Sequence, residues 1–521
     1  MSAGDDRASP EIELKFAAEA ETMAALRSHP RFEDGGGPSK LTSIYFDTPS
    51  RALRQHGYTL RVRSDGRKWL QTIKRRKSAT PFVRDEWEVE VAGGEPDLGA
   101  AGETPLGALL ARAEGGLAPI VTTEIDRTLR LYREQGGLVE VSLDEGQLVS
   151  GDKREAISEV ELELKEGQPQ ALFELARALS DETPLRLCLE SKSDRGFRLA
   201  GDDGLAGLKA EEAVVLPEMT VADAFRMIVR SCLRHIANAA SFAKTHEVEG
   251  VHQTRVGVRR LRAAASLFRD LTNPDEAQPV RQELKWLAHE LNDARDLDVF
   301  VGATFEAAED RQEDAAQTAF RRRALAAQSA AHEKALAAIE SQRFARLLLE
   351  LAAWAETGWL DLNLAEKPAP DFAAGILKDL RKTVRKRGAS LAEFDAEERH
   401  DFRIEVKKLR YASEFFAHAF GPAAKQRRKF VQRLKKLQEV LGELNDTEVA
   451  RALALQLTEG RTPEMAFAAG EAVGRRVGRQ RKLMEEAAAA YSKLATAKPF
   501  WTSVWSYSSS RPTAPYDEAA S

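Results

Sequence analysis

The residues best able to do chemistry first appear as an alternation, Glu11-Ile12-Glu13-Leu14-Lys15, which returns in altered form as Glu159-Val160-Glu161-Leu162-Glu163-Leu164-Lys165. Successive side chains on a β-strand point to opposite faces, so each segment places its charges on one face and its aliphatics on the other. A face that collects several carboxylates meets water or holds a hard cation such as Mg²⁺ or Mn²⁺ through oxygen ligands. Between the two segments lie strand-like stretches with cations on one face: Arg61 and Arg63, then Lys74, then Arg84. Acidic and basic strands segregated in this way suit a polyanion that carries a divalent metal.

A second set of charged residues lies in the C-terminal half. His252, Arg255, Arg259 and Arg262 share one helical face, and Val256, Val258 and Leu261 lie away from it, free to pack inward. His400, Arg403, Lys407 and Arg410 repeat the stripe at a constant offset, which Phe268 and Phe416 also keep. Further on, Leu284, Leu287, Leu291, Asn292 and Asp293 match Leu437, Val440, Leu444, Asn445 and Asp446. This is an internal duplication. Two helical units related by a pseudo-two-fold axis would bring the stripes together as a positive groove. The copies are not equivalent, because Asp296 and Asp298 follow the first Leu-Asn-Asp whereas Thr447 and Glu448 follow the second. Neither His252 nor His400 has a second histidine at metal spacing within its helix, which argues against a metal there.

Behind these residues stand two kinds of element. Short alternating segments divided by Gly, Pro and Asp predict eight strands, at about 11–17, 41–46, 58–64, 68–75, 82–91, 121–131, 138–144 and 156–165. Helices are predicted near 18–28, 104–113 and 169–180. Closing such a sheet would turn its charged faces into a shared lumen. Past about residue 219 the periodicity changes to that of helices. The expected fold is α+β: an eight-stranded antiparallel β tunnel with flanking helices, then an all-α domain of two pseudo-symmetric helical bundles. The expected boundaries are a disordered N-terminus (1–9), the tunnel (10–204), a linker (205–218), the helical domain (219–505) and a flexible tail (506–521).

Composition sets the bounds. A chain of 521 residues, 43% hydrophobic and 31% charged, is long enough for two or three cores and has a heavily charged surface. Its net charge of −5 conceals local basic runs, such as Arg381 to Arg387 and Lys425 to Lys429. Two cysteines, Cys188 and Cys232, exclude a disulfide framework and a cysteine-based zinc site, and fit a reducing compartment. No signal peptide pattern and no apolar run of about 18 residues is present, so the cytoplasm is the expected location and no membrane partner is expected. The basic stripes have few Tyr or Trp residues nearby, and no helix-turn-helix or zinc-finger spacing occurs, so no specific nucleic acid is expected.

In order along the chain, Glu11-x-Glu13-x-Lys15, Tyr45-Phe46-Asp47-Thr48, Leu60-Arg61-Val62-Arg63, Gln71-Thr72-Ile73-Lys74, Arg84-x-Glu86-x-Glu88, Asp126-Arg127, Asp144-x-Gly146, Glu159-x-Glu161-x-Glu163 and Ser191-Lys192-x-x-Arg195-Gly196 resemble the CYTH family, the triphosphate tunnel metalloenzymes. The resemblance implies a tunnel that binds a triphosphate and hydrolyses it with Mg²⁺ or Mn²⁺. It implies that Lys15, Arg61, Arg63, Lys74 and Arg84 form the catalytic cationic set, with Arg127, Lys192 and Arg195 binding substrate. It implies that Glu11, Glu13, Glu161 and Glu163 hold metal, with Glu86, Glu88 and Asp144 completing the acidic wall.

The helical half resembles the CHAD domain, on the repeated His-x-x-Arg stripes and the paired Leu-Asn-Asp segments. That resemblance implies two four-helix bundles and binding of inorganic polyphosphate by His252, Arg255, Arg259, Arg262, His400, Arg403, Lys407 and Arg410. Chains joining the two domains resemble bacterial inorganic triphosphatases. The expected partners are therefore inorganic tripolyphosphate and long-chain polyphosphate, with association with polyphosphate granules, in a monomer or a homodimer. Two alternatives stay open: a non-enzymatic polyphosphate-binding scaffold, and a hydrolase or cyclase acting on thiamine triphosphate or ATP.

Overall fold

A computed structural model of the protein describes residues 12–76, 84–112, 116–134, 136–201, 212–305 and 314–502. Its N-terminal half has ten strands: β1 (Glu13–Ala17), β2 (Glu33–Asp34), β3 (Ser39–Asp47), β4 (Tyr58–Ser64), β5 (Trp69–Arg76), β6 (Arg84–Val91), β7 (Ala118–Glu134), β8 (Gly137–Ser150), β9 (Lys153–Glu166) and β10 (Arg186–Leu187). Between them lie helices α1 (Ala20–Arg27), α2 (Ala52–Gln55), α3 (Leu98–Gly102), α4 (Gly107–Leu110), α5 (Pro169–Glu182) and α6 (Lys192–Leu199). All eight expected strands are present. The helix expected near 104–113 shrinks to α4, and β7, β8 and β9 run well beyond the alternation that announced them.

The sheet is antiparallel, in the order β10-β1-β9-β8-β7-β3-β4-β5-β6, with β2 pairing β7. Among the described residues no ladder joins β6 back to β1 or β10, so the sheet curls without closing its hydrogen bonding. Its outer face is apolar and covered. Leu14, Phe16, Val160 and Leu162 pack with Leu172 and Phe173 of α5, while Leu60, Val62 and Ile73 pack with Ala101 and Leu106. Burying the aliphatic alternates outward leaves the charged alternates facing inward.

The helical half comprises α7 (Val221–Ala243), α8 (Glu247–Leu267), α9 (Pro274–Glu290), α10 (Asn292–Phe305), α11 (Ala315–Glu340), α12 (Gln342–Thr357), α13 (Leu362–Ala365), α14 (Ala369–Gly388), α15 (Ala396–Phe415), α16 (Ala424–Thr458), α17 (Pro463–Gly478) and α18 (Gln480–Ala495). Helices α7, α8, α9 and α12 pack as one bundle and α14, α15, α16 and α18 as its copy. The equivalent residues Phe268 and Phe416 meet between the units at 6.0 Å. A third layer, of α10, α11, α17 and the end of α16, encloses Phe300 and Phe320.

The two halves share one buried cluster, which runs from Leu14 and Leu172 to Phe225 and Phe416. At its edge Arg177 of α5 donates to Glu350 of α12 at 3.0 and 2.8 Å, and Arg346 donates to Asp181 at 2.6 Å. Ala213 and Val215 are buried in the same cluster, so this part of the expected 205–218 linker is packed rather than free. Among the described residues no helix is long and apolar enough to cross a membrane.

Candidate functional site

Strand register sets the lining of the lumen. Thr59 pairs with Lys74 and Lys74 with Glu86, while the next row runs Arg61, Thr72, Glu88. On the opposite wall Lys15 pairs with Glu161 and Glu13 with Glu163. These side chains, with Tyr45, Arg63, Arg127 and Lys192, line a cavity of about 540 Å³. Lys192 enters from α6, whose start is fixed by a reciprocal cap: Ser191 accepts from the Asp194 backbone, and Asp194 accepts from Ser191.

Glu161 is the centre of the charge network. Lys15 Nζ lies 2.6 Å from Glu161 Oε1 and 2.9 Å from Glu13 Oε2, so one ammonium bridges two carboxylates. Lys192 Nζ reaches Glu161 at 2.8 Å, Asp144 at 2.9 Å and Glu159 at 2.6 Å. Arg127 grips both oxygens of Asp144, at 2.6 and 2.7 Å, and adds Glu161 at 2.8 Å. Burial alone would raise the Glu161 carboxyl, but Lys15, Lys192 and Arg127 hold it well below the ordinary range. Glu13 and Asp144 are lowered in the same way, against their burial, chiefly by Lys15 and by Lys192 respectively. Burial opposes the charge of Lys15 and Lys192, yet the surrounding carboxylates push both ammonium values up.

The facing wall is the reverse. Arg63 donates to Ser43 Oγ at 3.0 Å and has no carboxylate partner among the described residues. Burial and then the Arg61 guanidinium lower it to about 10. Arg61 comes no nearer than 4.0 Å to Glu86. The lumen thus opposes a neutralised acidic wall to two adjacent guanidinium groups whose one carboxylate contact among the described residues is the 4.0 Å approach of Arg61 to Glu86.

Several expected residues stand elsewhere. Asp144 is fully buried beneath Arg127 rather than on the lumen surface, because both its oxygens are taken by Arg127 and Lys192. Arg195 is not among the residues lining the cavity and instead bonds Glu155 at 2.8 Å and Glu159. Glu11 and the side chain of Arg84 lie outside the described residues. Thr59, Thr72, Ser191 and Ser193 also line the cavity, although the sequence reading gave them no role. The first two were discoverable, because they share the alternation of Arg61 and Lys74.

The acidic wall suits a hard divalent cation in its chemistry. Glu13 and Glu161 offer only oxygen donors, and the position between them already holds a positive group, the Lys15 ammonium. Among the described residues no three His, Cys, Asp or Glu groups converge as a full ligand set.

The second cluster of charge forms where α8 faces α15. The Lys407 ammonium is lowered to about 7 by burial and then by Arg403, Arg259, Arg255 and Arg410. Burial and Arg259 lower Arg255 to about 10, and burial and Arg295 lower His252 to about 4. Mutual depression of this kind requires the stripes to face one another. The copies differ in detail: Asn292 accepts from Arg255 at 2.9 Å, whereas Asn445 bonds His400 at 3.1 Å. Arg410 is drawn to Glu414 at 2.8 Å. Arg262 is exposed, and the buried neighbour Arg260 instead lies over Phe415.

Comparison with known proteins decides the family. The model of the CYTH domain matches residues 9–197 and that of the CHAD domain matches residues 227–455. This chain joins a CYTH domain to a CHAD domain. A curated relative, an inorganic triphosphatase of Haemophilus influenzae, is 29% identical over 163 residues, 30% of this chain and 46% of the relative. The chain therefore spans less than half the length of that relative. The crystal structure of the CHAD domain from the plant Ricinus communis is 30% identical, covers 55% of this chain and 96% of its own, and has a TM-score of 0.47. A Hippeastrum protein described as an adenylyl cyclase with a dominant triphosphatase activity is 18% identical, covering 36% of this chain and 95% of its own, with a TM-score of 0.26.

Proposed function

We propose that the CYTH domain hydrolyses inorganic tripolyphosphate to diphosphate and phosphate with Mg²⁺ or Mn²⁺, and that the CHAD domain binds polyphosphate between α8 and α15. The observation that carries the reading is the pair Arg61 and Arg63, guanidinium groups crowded at the lumen wall with too little negative charge opposite them. A bound phosphate chain supplies that charge. Arg61, Arg63 and Arg127 offer planar forks to its oxygens, while Lys15, Lys74 and Lys192 act as point charges. Glu13 and Glu161 would hold the cation, which neutralises phosphate charge and activates water when bound. Glu163, Glu86 and Glu88 keep the lumen from binding anions indiscriminately and leave room for displaced ammonium groups to re-pair.

Inorganic triphosphate is favoured over ATP or thiamine triphosphate because, among the described residues, the aromatic lining is limited to Tyr45. The test is phosphate release by the full chain from tripolyphosphate, ATP, thiamine triphosphate and long-chain polyphosphate, with each metal and with EDTA. Tripolyphosphate should be hydrolysed fastest, and EDTA should stop the reaction. Inertness of the folded protein toward all four substrates would end the proposal.

A further inference from the structure

Outside the groove between α8 and α15, the second CHAD unit carries another concentration of positive charge. No acidic residue occurs between Lys425 and Lys436 of α16, and Lys425, Arg428, Lys429 and Lys436 are exposed there. On α14, Lys382, Arg385 and Lys386 are exposed. The two stretches belong to one surface. Arg381 of α14 donates to the Ala497 carbonyl at 2.9 Å, and Gln426 of α16 donates to the Pro499 carbonyl, so both helices are tied to one short turn. Lys498, between those two carbonyls, is exposed as well. None of these exposed cations has an ion-pair partner among the described residues, although nearby Arg387 has found Asp401 at 3.4 Å.

The duplication shows that folding does not require this charge. Aligning Leu284 with Leu437 and Leu287 with Val440 sets Asp275 against Arg428, Glu276 against Lys429 and Glu283 against Lys436. In the first unit the acids serve internal contacts: Glu283 takes Arg343 of α12 at 2.6 and 2.9 Å, and Glu276 accepts from the Trp359 backbone at 2.9 Å. In the second unit the sign is inverted and the side chains point to solvent. Like charges packed this closely oppose the compact state, so an external anion is the missing counterpart.

The surface also limits which anion fits. The exposed large apolar side chains of the CHAD domain, such as Leu455 and Phe467, lie outside these two stretches. Among the described residues that leaves no platform for stacking bases and no apolar anchor for a membrane. From Lys425 to Lys436 the helix extends about 16 Å, long enough to follow a linear anion recognised by charge alone. We propose that this surface is a second polyphosphate site, engaging the part of a long chain that extends beyond the groove between α8 and α15. The inference rests on the polyphosphate reading of that groove.

The test compares wild-type full-length protein with a variant carrying Lys382→Gln, Arg385→Gln, Lys425→Gln and Lys429→Gln, matched for circular dichroism and thermal unfolding. Should that variant misfold, Arg428→Gln with Lys436→Gln on the same helix replaces it. Binding of inorganic polyphosphate, in a short-chain and a long-chain preparation, is measured over a range of salt. Short-chain affinity and tripolyphosphate turnover should stay unchanged, while long-chain affinity falls about tenfold. The slope of log affinity against log salt should flatten by about 0.7 for each lost contact. Unchanged long-chain affinity and slope overturn the proposal. So does tighter binding of duplex DNA, single-stranded RNA or anionic vesicles than of polyphosphate to the wild-type surface. An Arg255→Gln, Lys407→Gln variant separates the two readings: if it still binds short chains, the groove reading fails, and the long-chain slope alone then decides the surface.

Discussion

At the scale of single residues, the two charged sites use burial in opposite ways. On the acidic wall of the lumen, acids and bases satisfy one another, so Glu161 lies well below the ordinary carboxylate value of 4.5. A carboxyl lowered by folding contributes stability above its unfolded value, and that stability is lost as pH falls through the folded value. Glu161→Gln should therefore destabilise the protein at pH 7 by about 3 kcal/mol, since it strips a shared partner from Lys15, Lys192 and Arg127. In urea unfolding the gap between wild type and variant should narrow as pH drops below about 4.5. A gap independent of pH would contradict the assignment.

In the groove burial and neighbouring cations outweigh the few acids present, and Lys407 shows the consequence. With a folded value of about 7 against an ordinary 10.5, the folded chain holds fewer protons than the unfolded one between those limits. Stability should thus rise with pH across that window, and a bound polyanion should reverse the effect by favouring the charged ammonium. Polyphosphate binding near pH 8 should take up a proton, seen as a buffer-dependent heat in titration calorimetry. Lys407→Arg should bind without that uptake, because a guanidinium stays charged throughout.

At the scale of elements, close approaches make sharper demands than charge. Where α7 crosses α8, a Cβ on Gly250 would lie 2.3 Å from the Ala243 backbone. Helix propensity alone predicts that Gly250→Ala stabilises by about 1 kcal/mol. The crossing predicts the opposite sign, a loss of about 1–3 kcal/mol, because backbone cannot yield as a flexible side chain can. The thermal midpoint decides between them.

Elements also explain what could be read from the sequence. Glu13, Lys15, Arg61, Arg63, Lys74 and Glu161 were legible because a two-residue period survives wherever one face is buried. The facing stripes on α8 and α15 were legible because duplication repeats them. Strands β2 and β10 span two residues each, too short for any period. The burial of Asp144 was not legible, because it depends on α6 bringing Lys192 over β8 and β9. Yet the Ser191 and Asp194 capping pair that starts α6 was there to be read. The engagement of Arg195 away from the cavity follows from the same helix, whose next turn meets Glu155 and Glu159.

At the scale of the whole molecule, the CYTH and CHAD domains are not beads on a string. Strand β1, which carries Glu13 and Lys15, pairs through Phe16 with Leu187 of β10, and the Cys188 amide donates to the Lys15 carbonyl at 2.8 Å. Strand β10 packs against α12, as does α5. The backbone that presents two lumen residues is therefore seated against a CHAD helix. Domains with their own cores joined by a free linker melt separately, whereas one continuous core melts as a unit. Scanning calorimetry of the full chain should accordingly show a single transition. Tripolyphosphate with a non-turnover cation such as Ca²⁺ should raise the whole transition, because a ligand that binds only the folded form stabilises everything that unfolds with it. The fragment 1–204, which exposes the face of α5 that α12 covers, should melt lower than the full chain and gain less from the same ligand. Two resolved transitions in the full chain, with only one moved by tripolyphosphate, would show that the shared core does not couple the domains.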